Sequence, residues 1–142
     1  MKHEPLVVER TYNAPPSRVW EAITDRDKMK EWYFNLSDFR AEVGFEFSFP
    51  GQGHDGKKFI HLCRVTEVIP GKKLSHTWKY ENLPGESVLT WELFPEGDGT
   101  RVKLTHAGLE TFPQNDPNFS RASFTGGWND LLGKYLKEFV EK

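Results

Sequence analysis

The stretch Gly126-Gly127-Trp128-Asn129-Asp130-Leu131-Leu132-Gly133-Lys134-Tyr135-Leu136-Lys137-Glu138-Phe139 sets Trp128, Leu131, Leu132, Tyr135, Leu136 and Phe139 at helical spacing. Residues three and four apart share one side of a helix, so the run predicts a single apolar face. Such a face needs a partner surface. The long segment before it reads almost entirely as strand and turn, so the partner is a sheet. One helix is expected from about residue 120 to 141, opening near Gly126-Gly127-Trp128 or a few residues earlier. It should lie in the concave face of an antiparallel sheet, with Trp128, Leu132, Tyr135, Leu136 and Phe139 mostly buried. A sheet curved around one helix encloses either a packed core or a cavity, and that choice decides the function.

Moving outward, Leu6 to Tyr12 alternates and reads as a strand, stopped by Ala14-Pro15-Pro16-Ser17. Proline is tolerated in a first helical turn, and Val19, Trp20 and Ile23 give a short helix one apolar face. Asp25 or Asp27 can cap a second short helix through Met29 and Trp32. From Ser37 the pattern has period two. Phe45, Phe47 and Phe49 share a face, and Pro50 to Gly56 reads as a turn-rich loop. Strands follow over Phe59–Val68, Leu74–Tyr80, Leu89–Leu93 and Val102–His106. Pro70-Gly71, Leu83-Pro84-Gly85 and Glu96-Gly97-Asp98-Gly99 separate them, the last a strong hairpin signal. Regular turns predict antiparallel pairing of neighbours. Gly108 to Ser120 is a loop. The expected class is α+β in one domain over residues 1–142: β-α-α, about six strands, then one long helix.

Composition narrows the partners. Of the 142 residues, 28% are charged and 37% hydrophobic, the balance of an ordinary globular chain. A net charge of -2 argues against nucleic acid, whose phosphates call for a basic face. No apolar run is long enough to span a membrane, and Met1-Lys2-His3-Glu4-Pro5 lacks a signal segment. The single cysteine, Cys63, has no disulfide partner and no zinc spacing, so a cytoplasmic setting without cofactor or metal is expected. Aromatics reach 14%, with 11 Phe and 5 Trp, which suits a thick core or the wall of an apolar pocket.

These residues carry a family resemblance. Ala14-Pro15 with Val19-Trp20-Glu21-Ala22-Ile23-Thr24 is similar to a first-helix signature, and Trp32 matches a Trp of the second short helix. Thr100 to Gly108, with Leu104, His106 and Gly108, looks like a last strand, and Gly126-Gly127-Trp128 like a terminal-helix opening. In this order they resemble the helix-grip superfamily of pollen-allergen-like and START domains (SRPBCC). Within it they resemble the family of the activator of the 90-kilodalton heat-shock protein ATPase, C-terminal-domain-like. The resemblance spans about residues 6 to 140 and implies a helix-grip fold able to hold sterols, lipids, polyketides or other apolar molecules. Two departures stand out. Val43 precedes Gly44 where the family often pairs glycines. The first strand begins at Leu6, where the eukaryotic co-chaperones carry an additional N-terminal domain. This domain alone is therefore not expected to stimulate the chaperone's ATPase, although a chaperone partner stays open as a reading.

Strand alternation puts His76 and His106 on the inward face, with His61 beside them if its strand keeps register. They read as satisfied core histidines or as polar anchors in a cavity. A zinc site would need three or four converging ligands, and nothing in the spacing shows convergence. Cys63 as a nucleophile would need His61 or His76 as its base, and a mid-strand Cys reads instead as a small core residue. Gly51, Gly53 and Gly56 lack the Lys-Ser/Thr of a phosphate loop. Lys57-Lys58 and Lys72-Lys73 read as solvated surface. Three functions follow: binding of a small apolar or aromatic ligand, interaction with another protein, or an enzyme acting on an aromatic or polyketide-like substrate. No nucleophile, base and orienting group stand together, so catalysis is the weakest. The binding reading selects Phe45, Phe47, His76, Trp78, Trp91 and His106 as the lining, with the Gly108–Ser120 loop as mouth. Nothing in the pattern sets an oligomeric state.

Overall fold

The computed structural model describes residues 4–34, 36, 38–52 and 58–142. Strand β1 (Leu6–Tyr12) leads to helices α1 (Pro16–Thr24) and α2 (Arg26–Trp32). Strands β2 (Glu46–Gln52), β3 (Lys58–Ile69), β4 (Lys73–Tyr80), β5 (Ser87–Glu96) and β6 (Gly99–Ala107) follow. Among the described residues five strands thus follow the helices where about six were expected, and with β1 they make one sheet of six. Every neighbouring pair is antiparallel, in the order β1-β6-β5-β4-β3-β2. Short connections join β3 through β6 in sequence order, and β1 closes the far edge against β6.

Local chemistry sets the boundaries. Pro16 occupies the first turn of α1, where its missing N–H costs nothing. Asp25 is the cap of α2, accepting from the Asp27 and Lys28 amides at 2.9 and 3.3 Å. The Trp32 indole N–H donates to the Ala22 carbonyl at 2.8 Å and ties the two helices together. Glu96 faces Gly99 across the β5–β6 hairpin, and Gly97 takes the left-handed φ of 61° that the turn requires. A register shift between Val65 and Glu67 bulges β3.

One expectation about loops changes. Pro50 and Gly51 belong to β2 rather than to a loop, paired with Ile60 and Phe59. Proline fits there because β2 is an edge strand and one of its sides has no ladder to serve. Phe45 precedes the strand and is only half-buried, while Phe47 and Phe49 point inward. Ser37, Lys57 and the loop glycines Gly53 and Gly56 lie outside the described residues, as does the leading Met1-Lys2-His3.

The terminal helix begins before the glycines. Ser120 caps it by accepting from the Ser123 amide at 3.1 Å, and α3 runs Arg121–Asp130. It continues without a break through a π-helical segment, Leu131–Leu136, into a last turn, α4 (Lys137–Val140). Phe124, Trp128, Leu132, Leu136 and Val140 are the buried residues, spaced strictly by four. A spacing of four overshoots the 3.6 residues of an α-turn, so a pure α-helix would rotate this row away from the sheet. The wider π turn takes up the excess and keeps the row inward. Tyr135 was expected inside but is 45% exposed, because the four-residue row turns it outward. Phe139 is half-buried, under the Lys142 ammonium. Tyr12 Oη fastens the segment to β1, donating to the Leu132 carbonyl at 2.7 Å.

Candidate functional site

Rings on the inner face of β2, β3 and β4 touch one another in a continuous network, but that face is covered in two ways. Under α1 and α2 the side chains close up. Trp32, Tyr33, Phe47, Leu74, His76 and Trp91 surround a residual void of only about 10 Å³. Trp32 meets Trp91 edge-on at 6.2 Å, and Phe47 meets His76 at 5.0 Å. Under α3 the same face stays open. A cleft of about 670 Å³ lies between the helix and the adjacent ends of β3 and β4. Phe59, His61, Trp78 and Tyr80 form its sheet wall, and Ser123, Gly126, Gly127 and Trp128 its helix wall. Phe34 and the Pro117–Ser120 end of the loop complete the rim.

Strand pairing explains the sheet wall. His61 stands directly opposite Tyr80 across the β3–β4 ladder, with ring centroids 4.8 Å apart. Trp78, two residues on, presents its edge to His61 at 4.9 Å. The rings of His61 and Phe49 stack at 4.4 Å, and Phe119 packs on both Phe59 and Tyr80. Gly51 makes the His61 position possible, because a Cβ there would collide with the imidazole. The sequence reading took Gly51 for a turn residue. Its place opposite Phe59 in a strand explains it as a close approach instead.

The polar atoms of this region are mostly committed. Trp78 Nε1–H donates to Tyr80 Oη at 2.9 Å. Trp128 Nε1–H donates to His106 Nδ1 at 3.1 Å. That bond leaves the His106 proton on Nε2, 2.8 Å from Ser87 Oγ, which donates in turn to the Trp78 carbonyl at 2.8 Å. The chain thus joins the helix to β4 behind the cleft. His61 Nδ1 lies 3.2 Å from the Phe49 carbonyl and must donate to it.

Burial decides the charge state of all three inward histidines. It lowers His61 and His76 to a pKa of about 4 each, against the opposing pull of their backbone carbonyl partners. His106 falls to about 3, through burial and then the neighbouring His76 and His61. The imidazoles are therefore neutral near pH 7. Burial also raises the Cys63 thiol and the Tyr80 phenol well above their ordinary ranges. A thiol held protonated is a poor nucleophile. Among the described residues no group of three or more His, Cys, Asp or Glu side chains is gathered closely enough to hold a metal ion.

Of the six residues selected from sequence, Trp78 lines the cleft. His106 sits behind Trp128, fully buried. Phe47, His76 and Trp91 belong to the packed half, and Phe45 leans on Phe39 with centroids 6.2 Å apart. Lining residues outside that selection include Phe59, His61, Tyr80, Phe34, Phe119, Trp128 and the two glycines. Period-two alternation put His61 inward provided its strand kept register. What it lacked was which end of each strand the helix leaves uncovered.

Residues 13–141 match the family described as "Activator of Hsp90 ATPase homolog 1-like protein". No curated protein matches the chain. Among solved structures, protein MLL2253 from Mesorhizobium loti is 28% identical, with 96% of each chain covered and a TM-score of 0.75. CalU16 from Micromonospora echinospora is 27% identical, covering 96% of this chain and 75% of its own, with a TM-score of 0.75. Protein CV1439 from Chromobacterium violaceum shares the fold at a TM-score of 0.81, with 24% identity and 98% of each chain covered.

Proposed function

Because this chain belongs to the activator of Hsp90 ATPase homolog 1-like family, within the SRPBCC helix-grip superfamily, we propose that it binds a small apolar or aromatic molecule between α3 and the ends of β3 and β4. One observation carries the reading: a face packed almost without voids under α1 and α2 is left open over about 670 Å³ under α3. That volume falls in the range of small-molecule sites, which are mostly apolar with few placed polar groups. In this reading Trp78 touches the ligand, and Trp128 is held for it by His106. Phe45, Phe47, His76 and Trp91 act from the packed half, as the support that keeps the open wall rigid. The Pro117–Ser120 segment serves as the mouth, since loops move more readily than packed strands.

The test is a screen of lipids and of flavonoid-like and polyketide-like compounds by chemical-shift perturbation, with Trp78→Ala as control. Binding should shift amides around Trp78, His61 and Gly127. It should stabilise the fold by roughly 2.7 kcal/mol at a hundredfold excess over Kd. A screen that moves none of these residues overturns the reading and favours a protein-interaction role.

A further inference from the structure

The walls of the cleft differ in chemistry, and the difference specifies the occupant. Gly126 and Gly127 sit inside α3, where each costs up to about 1 kcal/mol of helix stability relative to alanine. A Cβ added at either would meet no atom within 4 Å, so no packing contact within the protein requires them. With Ser123 one turn earlier they form a low stretch of the helix wall, beside the Trp128 ring. Opposite stand the rings of Phe59, Trp78 and Tyr80. Rings on one side and bare helix backbone on the other suit a flat ring system lying against the helix.

His61 supplies the independent observation. It is 6% exposed, lines the cleft, and has its Nδ1–H committed to the Phe49 carbonyl. A neutral imidazole with its proton on Nδ1 carries an acceptor lone pair on Nε2. That atom has no partner among the described residues. It is not sealed in protein either, for Tyr33 Oη is the buried side-chain polar atom left unpaired among them. The indole donors of Trp78 and Trp128 are already bonded to Tyr80 and His106. Among the described residues no Lys or Arg borders the cleft, and Asp130 does.

We infer that the ligand is a flat, uncharged aromatic molecule bearing a hydroxyl, which donates its hydrogen to His61 Nε2 while the ring lies between Trp78 and the Gly126–Gly127 wall. The inference rests on the binding reading above and adds its polarity. An anionic ligand would meet a lone pair and a carboxylate, with no cation among the described lining residues to offset them. A molecule without a donor would leave Nε2 desolvated and unpaired, which disfavours it.

Three probes separate the cases: 2-naphthol, its methyl ether 2-methoxynaphthalene, and 2-naphthoate, each titrated calorimetrically at pH 7. The expected result is tighter binding of naphthol than of its ether by about three- to tenfold, the worth of one neutral hydrogen bond, with naphthoate weakest. His61→Phe, which keeps a ring on Phe49, should bring the naphthol-to-ether ratio to about one. Should that variant fail to fold, the wild-type protein labelled with ¹⁵N-histidine gives the same answer. The His61 Nε2 resonance should move on adding naphthol and stay put with the ether. Equal affinity for naphthol and ether, or a preference for naphthoate, overturns the donor assignment and leaves the cleft reading standing. Binding by none of the three overturns both.

Discussion

The two halves of the inner sheet face are built from the same material and end in opposite states. Under α1 and α2, Phe47, His76 and Trp91 meet Trp32 and Tyr33 and leave about 10 Å³. Under α3, Phe59, His61 and Trp78 face Ser123, Gly126 and Gly127 across about 670 Å³. Each half has inward rings on neighbouring strands, and each has a buried histidine with Nδ1 at a carbonyl, Phe49 for His61 and Thr77 for His76. The sheet does not decide between core and cleft. The covering helices do, by the size of the side chains they turn toward it.

The sharpest way to break this comparison is to cut a ring from the closed half. Trp91→Ala removes a side chain only 2% exposed, and should destabilise the fold by roughly 3–5 kcal/mol in urea titrations. A loss below about 1 kcal/mol would mean that this half is not the close-packed one.

Acid tests both halves together. Each inward histidine has a folded pKa below its ordinary value of 6.5, so the unfolded chain takes up protons that the folded chain refuses. Their contribution is complete above about pH 6.5 and lost as pH falls toward 4, by up to roughly 3 kcal/mol for each group. Stability measured from pH 7.5 to 4.5 should therefore stay level and then drop. His76→Leu should flatten the drop in part. An acid limb that the variant leaves unchanged would contradict the buried neutral assignment of His76.

A smaller effect sharpens the contrast from the open side. Gly127→Leu should leave stability level or raise it by less than about 1 kcal/mol, since leucine favours a helix and a Cβ there meets nothing. The same change should abolish ligand binding in the cleft. Lost stability with binding retained would show that the glycine serves packing instead. The smallest effect is expected outside both halves. Tyr135→Ala, at a 45% exposed position, should move the unfolding midpoint by no more than about 0.5 kcal/mol.

Much was legible in the residues. Alternation put Leu74, His76, Trp78 and Tyr80 inward and left Lys79 exposed, as found. Turn chemistry delimited β4, β5 and β6, and Pro16 and Asp25 marked the two short helices. The family, too, could be read from motifs spread along the chain. The candidate site was legible only in part. Trp78 was selected and lines the cleft, while His61 was noticed among the inward histidines but left out of the lining. Gly126-Gly127 served only to mark a helix start.

Period and turn residues act within one element, so they determined here which side chains leave the solvent and in what order the elements run. They did not determine what each side chain meets. Tyr135 faces outward because a π turn re-phases a row spaced by four, and that turn exists to keep Leu132, Leu136 and Val140 on the sheet. Gly51 is a strand residue because the His61 ring needs the space beside it. Whether Trp78 bounds a core or a cleft depends on Gly126 and Gly127, nearly fifty positions away along the chain, and only tertiary packing brings them together. A residue's own spacing records its face; the volume above that face is set by the partner.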